Sequence, residues 1–172
     1  MPNLLAFFRS APVQEFSGTV YRICVGRYGG SVVSMRGSFL HGARYNVRGY
    51  FGAMYTSLSK EIARREIAQY FTAPPIDGFV EASFRLRLNR VVDLTNRMLL
   101  RKARIKWDEL IHAGYSVTQE VGLRAWESGI EGLLAPSAVN PSAHNLVVFL
   151  DNQRPLWLVQ LTGIVTHASL SA

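Results

Sequence analysis

The sequence predicts a single α+β domain, and three observations predict it. The 172 residues are 48% hydrophobic and 18% charged, enough apolar material for one real core. The strand-like runs mostly follow one another with few helices between them, which is the order of an α+β fold rather than of a doubly wound sheet. No internal repeat, low-complexity tract or linker divides the chain, so residues 1–172 read as one domain with its core at about 19–166.

The elements follow in order. A short apolar run, Leu4 to Phe8, opens the chain; it is too short for a signal-peptide core or a membrane span. Thr19–Val25, rich in β-branched and aromatic residues, reads as a strand. Gly26–Gly52 is Gly-, Ser- and Arg-rich and reads as a long loop with one short strand around Val32; so long a loop in a compact domain is usually functional. Ala53–Thr56 is a short strand. Ser57 or Ser59 then caps a helix that runs to about Phe71 and stops before Pro74-Pro75.

Gly78–Leu88 gives the cleanest strand signal: Val80, Ala82, Phe84, Leu86 and Leu88 alternate with Glu81, Ser83, Arg85 and Arg87. Val91–Leu94 reads as a further short strand and Thr95–Ala113 as one or two short helices. Ser116 and Gln119 have capping-box spacing ahead of a helix ending near Gly129. Gly132–Ala135, Asn145–Leu150 and Leu156–Val165 read as strands, with Asn152-Gln153 in the turn between the last two.

Charge and cysteine content bound the function. Lys plus Arg is 19 against 12 for Asp plus Glu, a net +7 that favours anionic company such as nucleotides, nucleic acid, an acidic partner or a membrane face. One cysteine, Cys24, excludes an internal disulfide and fits a reducing compartment. No stretch approaches twenty uninterrupted apolar residues, so the chain reads as soluble and cytoplasmic, or as an effector delivered into another cell's cytoplasm. His41, His112, His144 and His167 are dispersed without metal-ligand spacing, so no metal is expected. Neither a phosphate loop nor a dinucleotide fingerprint is present.

The candidate chemistry starts with Glu66. It falls inside the apolar stripe Ile62, Ala63, Ile67, Tyr70 and Phe71, while Lys60, Glu61, Arg64, Arg65 and Gln69 lie outside. An inward carboxylate is costly unless it is paired or lines a cavity, so Glu66 is either a buried ion pair with an arginine or a site residue. Arg44, just after Gly42, offers a fork of donors suited to phosphate oxygens, and Tyr55 offers a flat face and a hydroxyl handle. The plainer reading is a surface arginine and a core tyrosine. Arg22 is mid-strand on the face of Val20 and Cys24, an unusual place for an arginine, with Glu66 or a ligand phosphate as its partner. Ser137, after a strand end, is a turn residue or a ligand contact; it lacks a nucleophile-elbow pattern. The densest basic run, Arg101, Lys102, Arg104 and Lys106, is a solvated helix face or a surface for nucleic acid or an acidic partner.

Together these pieces resemble the RES-domain family, named for an arginine, a glutamate and a serine, whose members include bacterial toxins paired with Xre-type antitoxins. The arginine falls on Arg22. The Gly-x-Arg-aromatic-Asn element appears as Gly42-Ala43-Arg44-Tyr45-Asn46, with Tyr45 where tryptophan is more usual. A Tyr-x-Ser element appears as Tyr55-Thr56-Ser57, and Glu66 follows Tyr55 by eleven residues. The serine falls on Ser137, and a following Asn-Leu-Val strand appears as Asn145-Leu146-Val147. The resemblance covers about Tyr21 to Val165; Gly26–His41 and Asn96–Lys106 look particular to this chain.

The resemblance implies a fold like the ADP-ribosyltransferase toxins, with split mixed or antiparallel sheets and flanking helices around an NAD cleft. It implies a toxin that takes NAD as substrate and cleaves its nicotinamide–ribose bond, by hydrolysis or phosphorolysis. ADP-ribosyl transfer onto a target protein is the alternative, and a non-catalytic nucleic-acid-binding module is a third. It assigns Glu66, Arg22 and Ser137 to catalysis, and these three with Arg44 and Tyr55 to NAD. It also implies an Xre-like antitoxin, acidic or helical and suited to the +7 surface, or an immunity protein; nucleic acid would be met only through the antitoxin.

Overall fold

The structure, a computed structural model, describes residues 3–112, 114–152 and 158–170. Its six strands are β1 (Gln14–Val25), β2 (Met54–Ser57), β3 (Phe79–Asp93), β4 (Gly132–Pro136), β5 (His144–Val148) and β6 (Leu158–His167). Its helices are α1 (Leu4–Ser10), α2 (Arg36–His41), α3 (Lys60–Ala68), α4 (Arg97–Ala103), α5 (Trp107–Ile111) and α6 (Ser116–Glu127). No helix among the described residues is long and apolar enough to cross a membrane.

The strands form a mixed sheet of order β1-β2-β5-β4-β3-β6, and β3 pairs with β1 as well. The expected split takes the form of a change of partner along β3. Phe79–Arg87 lies against β6, whereas Val91–Asp93 lies parallel to β4. The other edge of β3 runs antiparallel to nearly all of β1. One pairing, Tyr21 with Ser57, joins β1 to β2 and closes β1, β2, β5, β4 and β3 into a ring.

Alternation along the strands fills both sides of this ring. Val20, Met54, Phe84, Leu86, Leu88, Leu146 and Val148 make one core between the strands. Val147, Leu133, Ala135 and Phe149 point the other way, into a second core with α1, α4, α5 and α6. A smaller cluster of Ile23, Ala63 and Phe79 seats α3 on the outer face of β1 and β3.

Several sequence expectations change, each for a local reason. The Leu4–Phe8 run belongs to α1, capped by Asn3, whose side chain accepts the Ala6 N–H at 3.0 Å. The short strand expected around Val32 is absent: a 3-10 turn over Gly26–Ser31 precedes it, and Val32 is buried against the strand core. The two strands expected at 78–88 and 91–94 are one, because the backbone N–H groups of Asn89 and Arg90 donate to the buried Glu131 carboxylate at 2.6 and 3.2 Å and keep the chain extended between them. Ser59 caps α3 by accepting the Ile62 N–H, but the helix ends at Ala68 and leaves Tyr70 66% exposed, outside the apolar stripe. The Ser116–Gln119 capping box does not form. Tyr115 stands at the N-cap, and Gln119 donates instead to the carbonyls of Ala43 and Asn46 at 3.1 and 3.4 Å. The strand read at Asn145–Leu150 ends at Val148, and Leu150–Asn152 turns; Gln153 and Leu156 lie outside the described residues.

Helix α3 is also held electrostatically. Glu81, 4% exposed on β3, receives Lys60 at 3.2 Å and Arg64 at 2.9 Å, one helical turn apart. Burial pushes the Glu81 carboxyl up, but the hydrogen bonds and charges of Lys60 and Arg64 outweigh it and hold the pKa below the ordinary value. A depressed carboxylate stabilises the fold above its unfolded pKa, near 4.3, and loses that contribution as pH falls through the folded value. Glu81→Gln is therefore expected to cost about 1–2 kcal/mol at neutral pH, since both cations can rehydrate. Urea midpoints measured from pH 7 to pH 3 should show the difference from wild type shrinking on acidification. A constant difference would disprove the assignment.

Candidate active site

A cleft of about 620 Å³ opens between α3, the middle of β1, β2 and the 42–45 loop, within the usual range for ligand clefts of roughly 300–1,000 Å³. Arg22, Arg44, Tyr55 and Glu66 all line it. Ser137 is fully buried directly behind Glu66.

Among the described residues Glu66 forms no ion pair with an arginine. One carboxylate oxygen, Oε1, accepts the Ser137 hydroxyl at 2.6 Å and the Asn145 amide at 2.7 Å. The other, Oε2, accepts the Gln69 amide at 3.1 Å from the next turn of chain. Ser137 is itself fixed: its N–H donates to Ala143, and its Oγ accepts the Val139 and Asn140 N–H groups at 3.3 Å. Asn145 is fixed by the Ser57 hydroxyl, which donates to its Oδ1 at 2.6 Å across the β2–β5 pair. The carboxylate is thus aimed by donors from the ends of two strands, and the apolar floor under α3 keeps it facing the cleft.

Arg22 does not meet Glu66 either. Its Nη2 donates to the Ser34 carbonyl at 2.9 Å, while Nη1 is buried without a hydrogen-bond partner among the described residues. Burial pushes the guanidinium below its ordinary value, opposed by Cys24, and the same burial pushes the Cys24 thiol up. An arginine stays charged in such a place, so its spare N–H groups form a desolvated cationic donor.

Arg44 is neither a free surface group nor fully engaged. Its Nη1 donates to the carbonyls of Leu110 and His112 at 3.2 and 2.6 Å, and its guanidinium lies 4.9 Å from the Tyr115 ring centre. Gly42, at φ 71°, ends α2 in a conformation suited to glycine and turns the chain into the Ala43–Asn46 bridge that presents Arg44. The Tyr55 hydroxyl is not a ligand handle: it accepts the Tyr45 N–H at 2.8 Å and donates to Asn46 at 3.0 Å. Burial raises its pKa well above the ordinary phenol value. What Tyr55 offers the cleft is its ring.

Asn145, Ser57, Tyr21, Tyr45 and Tyr115 also belong to this site, and residue-type reasoning did not select them. The signal for Asn145 and Ser57 is the β2–β5 register, which sets Ser57 opposite Asn145. Tyr70 and Tyr115 form the rim. Although two-thirds of Tyr70 is exposed, its phenol is pushed up to about 12 by partial desolvation and by Tyr115. The basic run lies elsewhere, with Arg101, Lys102, Arg104 and Lys106 exposed on and after α4. Among the described residues no cluster of His, Cys, Asp or Glu could hold a metal ion.

Removing either donor to Glu66 Oε1 strips a hydrogen bond from a charged acceptor, worth about 1.5–3 kcal/mol. Ser137→Ala and Asn145→Ala are each expected to lower the denaturation midpoint. Because each donor holds the carboxylate in place for the other, the double variant should lose less than the sum of the two. Strict additivity would show that the two donors are not coupled through Glu66.

No curated protein matches this sequence. Among solved structures, the fold is similar to a chain of the crystal structure of the M. tuberculosis MbcT–MbcA toxin–antitoxin complex, with a TM-score of 0.78 and 24% identity over 97% of this chain and 93% of that one. The family model for the RES domain matches residues 19–167, a span that begins at β1 and ends with β6. The chain therefore belongs to the RES-domain family.

Proposed function

We propose that the chain is the toxin of a toxin–antitoxin pair and that it consumes NAD by breaking the nicotinamide–ribose bond. The observation that carries this reading is the buried, unpartnered Nη1 of Arg22 in the same cleft as a carboxylate held by Ser137 and Asn145. A desolvated cationic donor beside an oriented anion suits a ligand with a phosphate at one end and a developing positive charge at the other. Membership of the RES-domain family and the likeness to a structure of a toxin–antitoxin complex support the same reading.

In this mechanism Arg22 Nη1 and the remaining donors of Arg44 hold the pyrophosphate. The Tyr55 ring packs against the nicotinamide. Glu66, its Oε1 fixed from behind, faces the nicotinamide ribose. When the C1′–N bond breaks, its electron pair leaves with neutral nicotinamide and C1′ becomes oxocarbenium-like, as in glycoside cleavage. The Glu66 carboxylate stabilises that charge without having to reorganise. Water, phosphate or a protein side chain then bonds to C1′ and gives up a proton.

Mass analysis of NAD incubated with the purified protein, with and without phosphate, tests the reading. ADP-ribose marks hydrolysis and its phosphate ester marks phosphorolysis. A labelled band after incubation with labelled NAD and lysate marks transfer to protein. Unchanged NAD, with salt-dependent DNA binding instead, would replace the reading by the nucleic-acid module. Glu66→Gln is expected to lower the rate on the order of a hundredfold or more with the fold intact; a wild-type rate would sink the role given to Glu66.

The partner reading makes its own prediction. The product of the neighbouring reading frame, an Xre-like antitoxin or an immunity protein, should suppress NAD loss when co-expressed. If that product is acidic, its complex with this +7 chain should associate more slowly as salt is raised. Undiminished NAD loss on co-expression would remove the partner assignment.

A further inference from the structure

The cleft contains a second orphaned donor. Tyr45 is 2% exposed, and its hydroxyl has no hydrogen-bond partner among the described residues. Its backbone cannot drift. The N–H donates to Tyr55 at 2.8 Å, and the carbonyl is pressed against α6 at Gly122, where any Cβ would collide with it. Its ring packs in the helix-side core with Phe51, Leu110 and Val121, yet the residue also lines the cleft. Arg44, its neighbour in the chain, and Glu66 line the same cleft, and burial holds the phenol well above its ordinary value.

A buried hydroxyl without a partner is costly, and phenylalanine would fill the same volume without that cost. We propose that the Tyr45 hydroxyl is a substrate-binding group that donates to an acceptor oxygen of the ADP-ribosyl part of the dinucleotide, between the phosphate end at Arg44 and the ribose end at Glu66. This assignment rests on the NAD reading of the cleft and adds to it a residue whose bond forms only when ligand is present.

The test is Tyr45→Phe, which removes one oxygen and keeps the ring. Calorimetry measures ADP-ribose and nicotinamide binding to wild type and variant, beside KM, kcat and the melting temperature without ligand. Losing one neutral hydrogen bond should weaken ADP-ribose binding and raise KM about three- to tenfold. Nicotinamide binding should be unchanged, kcat nearly so, and the unliganded variant should melt at the same temperature or higher. A role in packing alone would not produce that split.

Equal ADP-ribose affinity in the two proteins overturns the assignment and leaves the NAD reading standing. So does a loss confined to nicotinamide, which would move the hydroxyl to the base end. A lower melting temperature of the unliganded variant would also overturn it, because the hydroxyl would then have a partner in the free protein. Absence of ADP-ribose binding and of NAD loss in wild type itself would sink both readings.

Discussion

The arrangement of the site depends on how one carboxylate oxygen is held. Glu66 Oε1 takes two short hydrogen bonds, from Ser137 just past the end of β4 and from Asn145 on β5. These strands are neighbours and antiparallel, with Ala135 opposite Asn145, so the two donors come from one rigid pair. Asn145 is in turn fixed from β2 through Ser57. A side chain on a nine-residue helix is thereby referenced to three consecutive strands of the sheet. On its opposite side the same helix is tied to β3 by Lys60 and Arg64 through Glu81. A short helix has little stability of its own. Bonds on two sides set its position and hence the direction of Glu66.

Two buried donors that line the cleft, Arg22 Nη1 and the Tyr45 hydroxyl, have no partner among the described residues, in contrast to this carboxylate. A folded chain pairs nearly all its buried polar atoms. Arg22 Nη1 and the Tyr45 hydroxyl both depart from that rule, and both residues line the same cleft. The cost of leaving them unpaired falls on the free protein, and a ligand that bonds to them recovers it on binding. Preorganisation of this kind favours affinity, because the groups need no rearrangement when the ligand arrives. Tyr55 shows the contrast: its hydroxyl bonds to Tyr45 and Asn46, so it shapes the loop and offers only its ring to the cleft.

Sequence periodicity carried the elements whose pattern is local. The alternation at 78–88, the inward position of Glu66 and the capping by Ser59 are all present. What it missed depended on distant residues. Nothing near Asn89 and Arg90 announces that Glu131, some forty positions later, bridges two apparent strands into one. Gln119 gave a capping signal, yet its side chain is taken by carbonyls of the 43–46 loop, so Ser116 lost its reciprocal partner. Of the residues singled out by type and spacing, Glu66, Arg22, Arg44 and Tyr55 line one cleft and Ser137 bonds to Glu66 from behind it, while the arginine partner weighed for Glu66 is not there. The ion pair between Glu66 and an arginine is replaced by neutral donors, because the β2–β5 register brings Ser57 and Asn145 together beneath the helix. Such a register is set by pairing across the sheet and is not written in any one segment.

Neutral donors also leave the charges of the cleft available. Had Arg22 paired with Glu66, each would have cancelled the other in a place of low dielectric, and little field would have remained for a ligand. Holding Glu66 with a hydroxyl and an amide, and Arg22 with a backbone carbonyl, keeps a positive and a negative centre separate within one cavity. On the NAD reading, one centre meets the phosphates and the other meets the charge that develops at the ribose. The net +7 acts at longer range, drawing anions toward the molecule without choosing among them. Selection then falls to the short-range geometry, in which Arg22 and Glu66 are fixed by bonds to the protein that do not consume their charge.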